Sequence, residues 1–380
     1  MSYSPPSSAK PFTLNVPDKD PSEWRQLLQL SKIGPTTYEN TQTEHHYGVT
    51  KKWLSETKDY WLNKYDWRAQ EKHINSFDNF RMLIDGIDLH FIGHFSDKKD
   101  AVPIVFMHGW PGSFIEFIPM LELIRDKWSK KDLPYHIIVP SLPGYTLSAE
   151  TQPTNRNWTM EDSTDVIDKL MTNLGFAKYL AQGGDVGSFV ARLLAQSKDA
   201  CVGIHVNMFA TQDQADPSTL SSTQKEALAR AGKWVENGRA YALEHATRPS
   251  TIGHVLSSNP LALLAWIGEK FLEWSDEDPS LDHILTNISL YWFTSGYPRS
   301  IYPYRALFGP SRPALEYLKK PTGASYFHHE IMPSFKSVVE KNANLVAYNE
   351  HERGGHFAAL ERPVEFWGDV KEFVDKAWKV

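Results

Sequence analysis

Residues 179–194, from Tyr179-Leu180-Ala181 through Gly183-Gly184-Asp185-Val186-Gly187 to Leu193-Leu194, run from a short apolar segment through glycines into a helical pattern. Tyr179 to Ala181 reads as a strand, and Phe189, Val190, Leu193 and Leu194 recur at helical spacing. The glycines between them fit a sharp strand-to-helix turn that displays its central side chain, here Asp185, as a nucleophile elbow does. Small residues flank the centre because so tight a turn leaves no room for side chains. The competing reading is an ordinary Gly-rich turn with Asp185 as helix N-cap.

The same rhythm extends outward. Val102 to Met107, Ile137 to Pro140 and Val202 to Val206 are further apolar runs, and Val166, Ile167, Leu170 and Met171 mark an intervening helix. Apolar runs buried on both faces and separated by amphipathic helices predict a parallel sheet. Upstream, Met82 and Ile84, then Leu89 and Phe91, alternate around Asp85-Gly86 and predict a hairpin after Trp- and Tyr-rich helices. The strand rhythm breaks near Thr211, gives way to helical patterns to about Lys320, and resumes with a strand at Asn344 to Tyr348 and a closing helix from Arg362 to Lys379. The expected organisation is therefore an N-terminal extension packing on the core (1–100), a first part of an α/β core (101–210), a helical lid (211–320) and a second part of the core (321–380). The lid would sit over the carboxyl ends of the strands, where open α/β sheets bind ligands.

Composition narrows the partners. Forty Lys and Arg against 46 Asp and Glu leave a net charge of −6 with no basic run, which argues against nucleic acid or an anionic membrane. A lone cysteine, Cys201, cannot form an internal disulfide and suits a reducing compartment. No apolar stretch approaches the roughly 18 residues of a membrane span. The opening Met-Ser-Tyr-Ser-Pro-Pro-Ser-Ser has neither the basic start nor the apolar core of a signal peptide, so the expectation is a soluble, cytoplasmic protein. Asn157-Trp158-Thr159 and Asn287-Ile288-Ser289 have the form of glycosylation acceptors but carry no meaning in such a chain.

Two further motifs complete a constellation. His108-Gly109-Trp110-Pro111-Gly112 leaves the first strong strand, in the place where an α/β-hydrolase fold contributes one oxyanion-hole amide, and the residue after the nucleophile contributes the other. These would be the N–H groups of Trp110 and Val186, and a cis bond before Pro111 is a further expectation. Gly354-Gly355-His356-Phe357 lies between the late strand and the last helix, so His356 takes the final place in the order nucleophile, acid, histidine. His351 and His356 mimic a zinc helix motif, but they are five residues apart and two glycines oppose a helix, so no metal site is expected. The pair His328-His329 reads as structural or solvated. Glu330 is the candidate acid, with Glu340, Glu350 and Glu352 as rivals by composition.

An Asp nucleophile is poorly suited to opening esters or peptides, where it would form an uphill anhydride. It suits displacement at saturated carbon, leaving an alkyl ester that water then hydrolyses. The leaving group would be a halide or the oxygen of an epoxide. An epoxide needs a proton donor, and Tyr241, Tyr291, Tyr297, Tyr302 and Tyr304 in the lid all qualify.

At these residues the chain resembles the microsomal-type epoxide hydrolases, most closely their soluble fungal members. The similarity runs through Pro11-Phe12-Thr13-Leu14-Asn15-Val16-Pro17, the loop at His108–Ser113, the elbow, Thr247–Gly253, Tyr291–Thr294 and Gly354–Glu361. The resemblance implies Asp185 as nucleophile, His356 as base, Glu330 as charge-relay acid, and Tyr241 with Tyr304 as the pair that activates the epoxide oxygen. Soluble fungal relatives can carry Asp where Glu330 stands. The resemblance also implies an α/β-hydrolase fold with helical lid, no cofactor or metal, an epoxide and water as partners, and a homodimer. It does not carry over the membrane anchor of other members. The rival readings are a haloalkane dehalogenase on the same machinery and a non-catalytic hydrolase-fold receptor.

Overall fold

Among the described residues nine strands, labelled β1 to β9 along the chain, form one sheet in the order β1-β2-β3-β5-β4-β6-β7-β8-β9. In this computed structural model, which describes residues 2–43, 47–211, 213–309 and 315–379, they are β1 (Lys10–Pro11), β2 (Asn79–Ile84), β3 (Ile87–His94), β4 (Val102–Met107), β5 (Tyr135–Pro140), β6 (Tyr179–Gly183), β7 (Cys201–Val206), β8 (Leu318–Phe327) and β9 (Ala343–His351). From β5 to β9 every neighbouring pair is parallel. Side chains alternate along each strand: Ile104 and Phe106 join the apolar cluster on one face, and Val105 and Met107 the cluster on the other. Both faces are covered by helices, which is why the strands read as unbroken apolar runs. Burying each such side chain contributes roughly 1.5–3 kcal/mol relative to exposure.

The β2–β3 hairpin turns at Asp85 and Gly86, whose φ values of +50° and +86° are those of the two-residue turn that matches strand twist. It pairs Met82 with Leu89 and Phe80 with Phe91, and β3 then adds antiparallel to β5. The N-terminal region therefore extends the sheet by three strands. Its helices Lys19–Leu30 and Lys51–Asn63 pack elsewhere, on the helices between β7 and β8: Tyr60 donates to Asp282 (3.0 Å) and Asn259 to Ser31 (2.8 Å).

Most boundaries lie within a few residues of those the sequence suggests; the closing helix is Pro363–Ala377. The exception is β8, a ten-residue strand that starts where the helical stretch is expected to end and where the sequence predicts no strand before Asn344. Its first six residues, Leu-Lys-Lys-Pro-Thr-Gly, are poor in strand formers, and its register against β9 shifts twice there. Between β7 and β8 the described residues are mainly helical, including Ser222–Lys233, Ala240–Thr247, Pro260–Trp274 and Leu281–Phe293. Gln212 and residues 310–314, also in the stretch expected to be a lid, lie outside the described residues. Among the described residues, no helix is long and apolar enough to cross a membrane.

Candidate active site

Asp185 follows β6 and opens the helix Asp185–Ser197. Its φ of +45° is left-handed, a conformation costing roughly 1–2 kcal/mol for a residue with a Cβ. The turn is locked by contact: a Cβ on Gly183 would overlap the Gly187 carbonyl, and one on Gly187 would overlap the carbonyl of Met107 at the end of β4. Gly184 N–H donates to that same Met107 oxygen (3.2 Å). The side chain of Asp185 is thereby thrust toward the loop after β4, where Trp110 N–H donates to its Oδ1 (2.8 Å). Val186, the next residue of the helix, is buried, and its N–H is one of the four that a helix start leaves without an intrahelical acceptor.

The Trp110–Pro111 peptide is cis, as expected. The loop is braced from the helix Leu281–Phe293. Asn287 donates to the Pro111 carbonyl (2.7 Å) and accepts from Ser113 (2.7 Å), and Tyr291 donates to the Gly112 carbonyl (2.9 Å). Asn287 is fully buried, so this triplet is a structural anchor.

His356 lies across from Asp185. Its Nδ1 is 2.9 and 3.0 Å from the two oxygens of Glu330, and its Nε2 is 3.6 Å from Asp185 Oδ2. Glu330 also accepts from Met332 N–H (3.1 Å). Burial by itself would lower the pKa of His356. The Glu330 charge, the close approach of Asp185, the hydrogen bond to Glu330 and the Asp185 charge outweigh it and hold the imidazole well above its ordinary range. The rival carboxylates lie elsewhere: Glu350 pairs with His328 (2.9 Å), Glu340 with Lys336 (3.7 Å), and Glu352 is exposed. His351 faces Asp369 (2.7 Å) rather than sharing a site with His356.

The tyrosines sort by their partners. Tyr291 is spent on Gly112, Tyr297 bonds His245 (2.8 Å) and Tyr302 bonds Ser163 (2.6 Å). Tyr241 and Tyr304 instead line a cavity of about 230 Å³ together with Asp185. Their rings meet edge to face at 5.7 Å, and the Trp110 ring stacks on Tyr241 at 5.2 Å. Burial, with the Asp185 charge pushing the same way, keeps both phenols well above their ordinary pKa and hence as O–H donors. The remaining wall is largely apolar, with Phe189, Trp234, Leu307 and Phe308. Two charged groups at the site were not singled out from sequence. Buried Lys270 lies 4.7 Å from the centre of the Tyr241 ring. Glu116 lines a second, small cavity beside His356. A lone carboxylate in Phe114-Ile115-Glu116-Phe117-Ile118 is the signal that would have marked the latter.

Comparison with known proteins bears on the family and the fold. A family described as "Epoxide hydrolase N terminus" matches residues 9–117, and one described as "alpha/beta hydrolase fold" matches residues 102–253. A protein of Dothistroma septosporum, provisionally named an epoxide hydrolase, is 41% identical over 379 residues, covering 97% of this chain and 90% of that one. The structure of Aspergillus niger epoxide hydrolase is 45% identical, with a TM-score of 0.94 and all of both chains covered. The juvenile hormone epoxide hydrolase of Bombyx mori is 25% identical with a TM-score of 0.89, covering 99% of this chain and 96% of that one. The chain belongs to the epoxide hydrolases and has the α/β-hydrolase fold.

Proposed function

We propose that this enzyme converts an epoxide and water into a vicinal diol through an ester on Asp185. The observation that carries this reading is the arrangement of His356, between Glu330 and Asp185, on one side of a carboxylate whose other side shares a cavity with Tyr241 and Tyr304. In the first step an Asp185 oxygen bonds an epoxide carbon and the C–O ring bond breaks. The freed oxygen, which would otherwise leave as a strongly basic alkoxide, takes a proton from Tyr241 or Tyr304, and the phenolate regains one when hydrolysis returns Asp185 as a carboxylic acid. Two neutral phenols favour this over halide displacement, and the assembled set favours an enzyme over a receptor.

In the second step His356 removes a proton from water, which attacks Asp185 Cγ. The Trp110 N–H, which already donates to Asp185 Oδ1, would hold the resulting oxyanion together with the Val186 N–H. Esterification supplies the trigger. It removes one of the two negative charges that raise the His356 pKa, so the imidazole becomes a base when the ester exists. Glu330 holds the Nδ1 proton and thereby leaves Nε2 free to accept.

The experiment is one turnover with enzyme in excess over an aryl epoxide in ¹⁸O-water. The first diol should be unlabelled at its new oxygen, with the label in the peptide containing Asp185. A labelled first diol means direct attack by water and removes the ester from the mechanism. Step-resolved rates test the phenols. The double variant Tyr241→Phe/Tyr304→Phe should slow ester formation by about 10²–10⁴-fold, each single change by less, while hydrolysis of the ester keeps its rate. Unchanged ester formation in the double variant would exclude both tyrosines.

A further inference from the structure

Asp185 stands between two cavities and, among the described residues, is the one that lines both. The larger holds the phenols. The smaller, lined by Gly109, Gly112, Glu116 and His356, measures about 10 Å³, room for about one water. Glu116 comes from the 3₁₀ turn Phe114–Phe117 and is buried, as are its neighbours Phe114, Ile115 and Phe117. Gly112 makes space for it, since a Cβ there would overlap Glu116 Oε2. Among the described residues no ion pair or side-chain hydrogen bond engages this carboxyl. A buried carboxyl without a protein partner has to find one in the space it faces.

Building on the covalent reading above, we propose that the small cavity is the chamber of the hydrolytic water and that Glu116 positions that water. The Glu116 carbonyl oxygen accepts one hydrogen of the water, and His356 Nε2 takes the other as the water oxygen bonds Asp185 Cγ. Collapse breaks the bond from Cγ to the diol oxygen, which leaves with the proton from His356. Burial pushes the Glu116 carboxyl up to about 8; the nearby His356 opposes this and the Asp185 charge adds to it. A neutral carboxyl orients water without competing with His356 for its proton.

The test compares Glu116→Leu and Glu116→Gln in single-turnover experiments with an aryl epoxide, resolving ester formation from ester hydrolysis. The Leu variant, an apolar match in size, should slow hydrolysis by about 10- to 100-fold while ester formation stays within about threefold, so that ester accumulates. The Gln variant keeps a carbonyl acceptor and should recover most of the lost hydrolysis. Melting temperatures near that of the unaltered enzyme exclude a folding defect. Wild-type hydrolysis in the Leu variant, or equal losses in both steps with no rescue by Gln, would overturn the assignment. Absence of any ester in the unaltered enzyme is a distinct result that overturns the covalent reading and this one with it.

Discussion

A His356→Gln enzyme should consume about one epoxide per active site and then stall. Ester formation needs the Asp185 carboxylate and the phenols, none of which the change removes. Hydrolysis needs a base, and loss of a positioned base costs about 10²–10⁴-fold. Gln is the informative replacement because its amide can still donate toward Glu330, whereas Ala would leave that buried carboxylate without its partner. Intact-protein mass spectrometry should find the whole population heavier by the mass of one epoxide. Steady turnover by the variant, or no adduct, would place the base elsewhere.

Asp185→Ala should abolish both steps. Removing a covalent nucleophile lowers turnover by on the order of 10⁴-fold or more, because the remaining groups act as a unit with it. No adduct should form at any time. The variant should fold, since the elbow is held by backbone contacts of Gly183, Gly184 and Gly187 rather than by the carboxylate. Turnover and melting temperature measured together decide the matter. A folded variant within tenfold of the unaltered enzyme would mean that water attacks the epoxide itself.

Both changes rest on residues legible in the sequence, and the reason is local. The elbow announces itself because Gly183 and Gly187 must lack side chains, and the hairpin because Asp85-Gly86 supplies two positive φ values. What stays hidden depends on distant partners. Strand β8 forms from Lys, Pro and Gly because β7 and β9 enclose it on both edges. The five candidate tyrosines look alike by spacing, so that only the resemblance singles out Tyr241 and Tyr304, and the groups opposite Tyr291, Tyr297 and Tyr302 are what give those three a bracing role. Glu330 competes with three other glutamates until His356 is brought against it from 26 residues away.

The division of the site around Asp185 bears on how such an enzyme diversifies. Residues such as Val235, Leu307 and Phe308 touch the substrate side alone, and Gly112 and Glu116 the water side alone. Variation in the first group can alter which epoxides are accepted, and which ring carbon is presented, while the release of product proceeds unchanged. Residues that set the fit of the epoxide can thus change without touching those that surround the ester's other face.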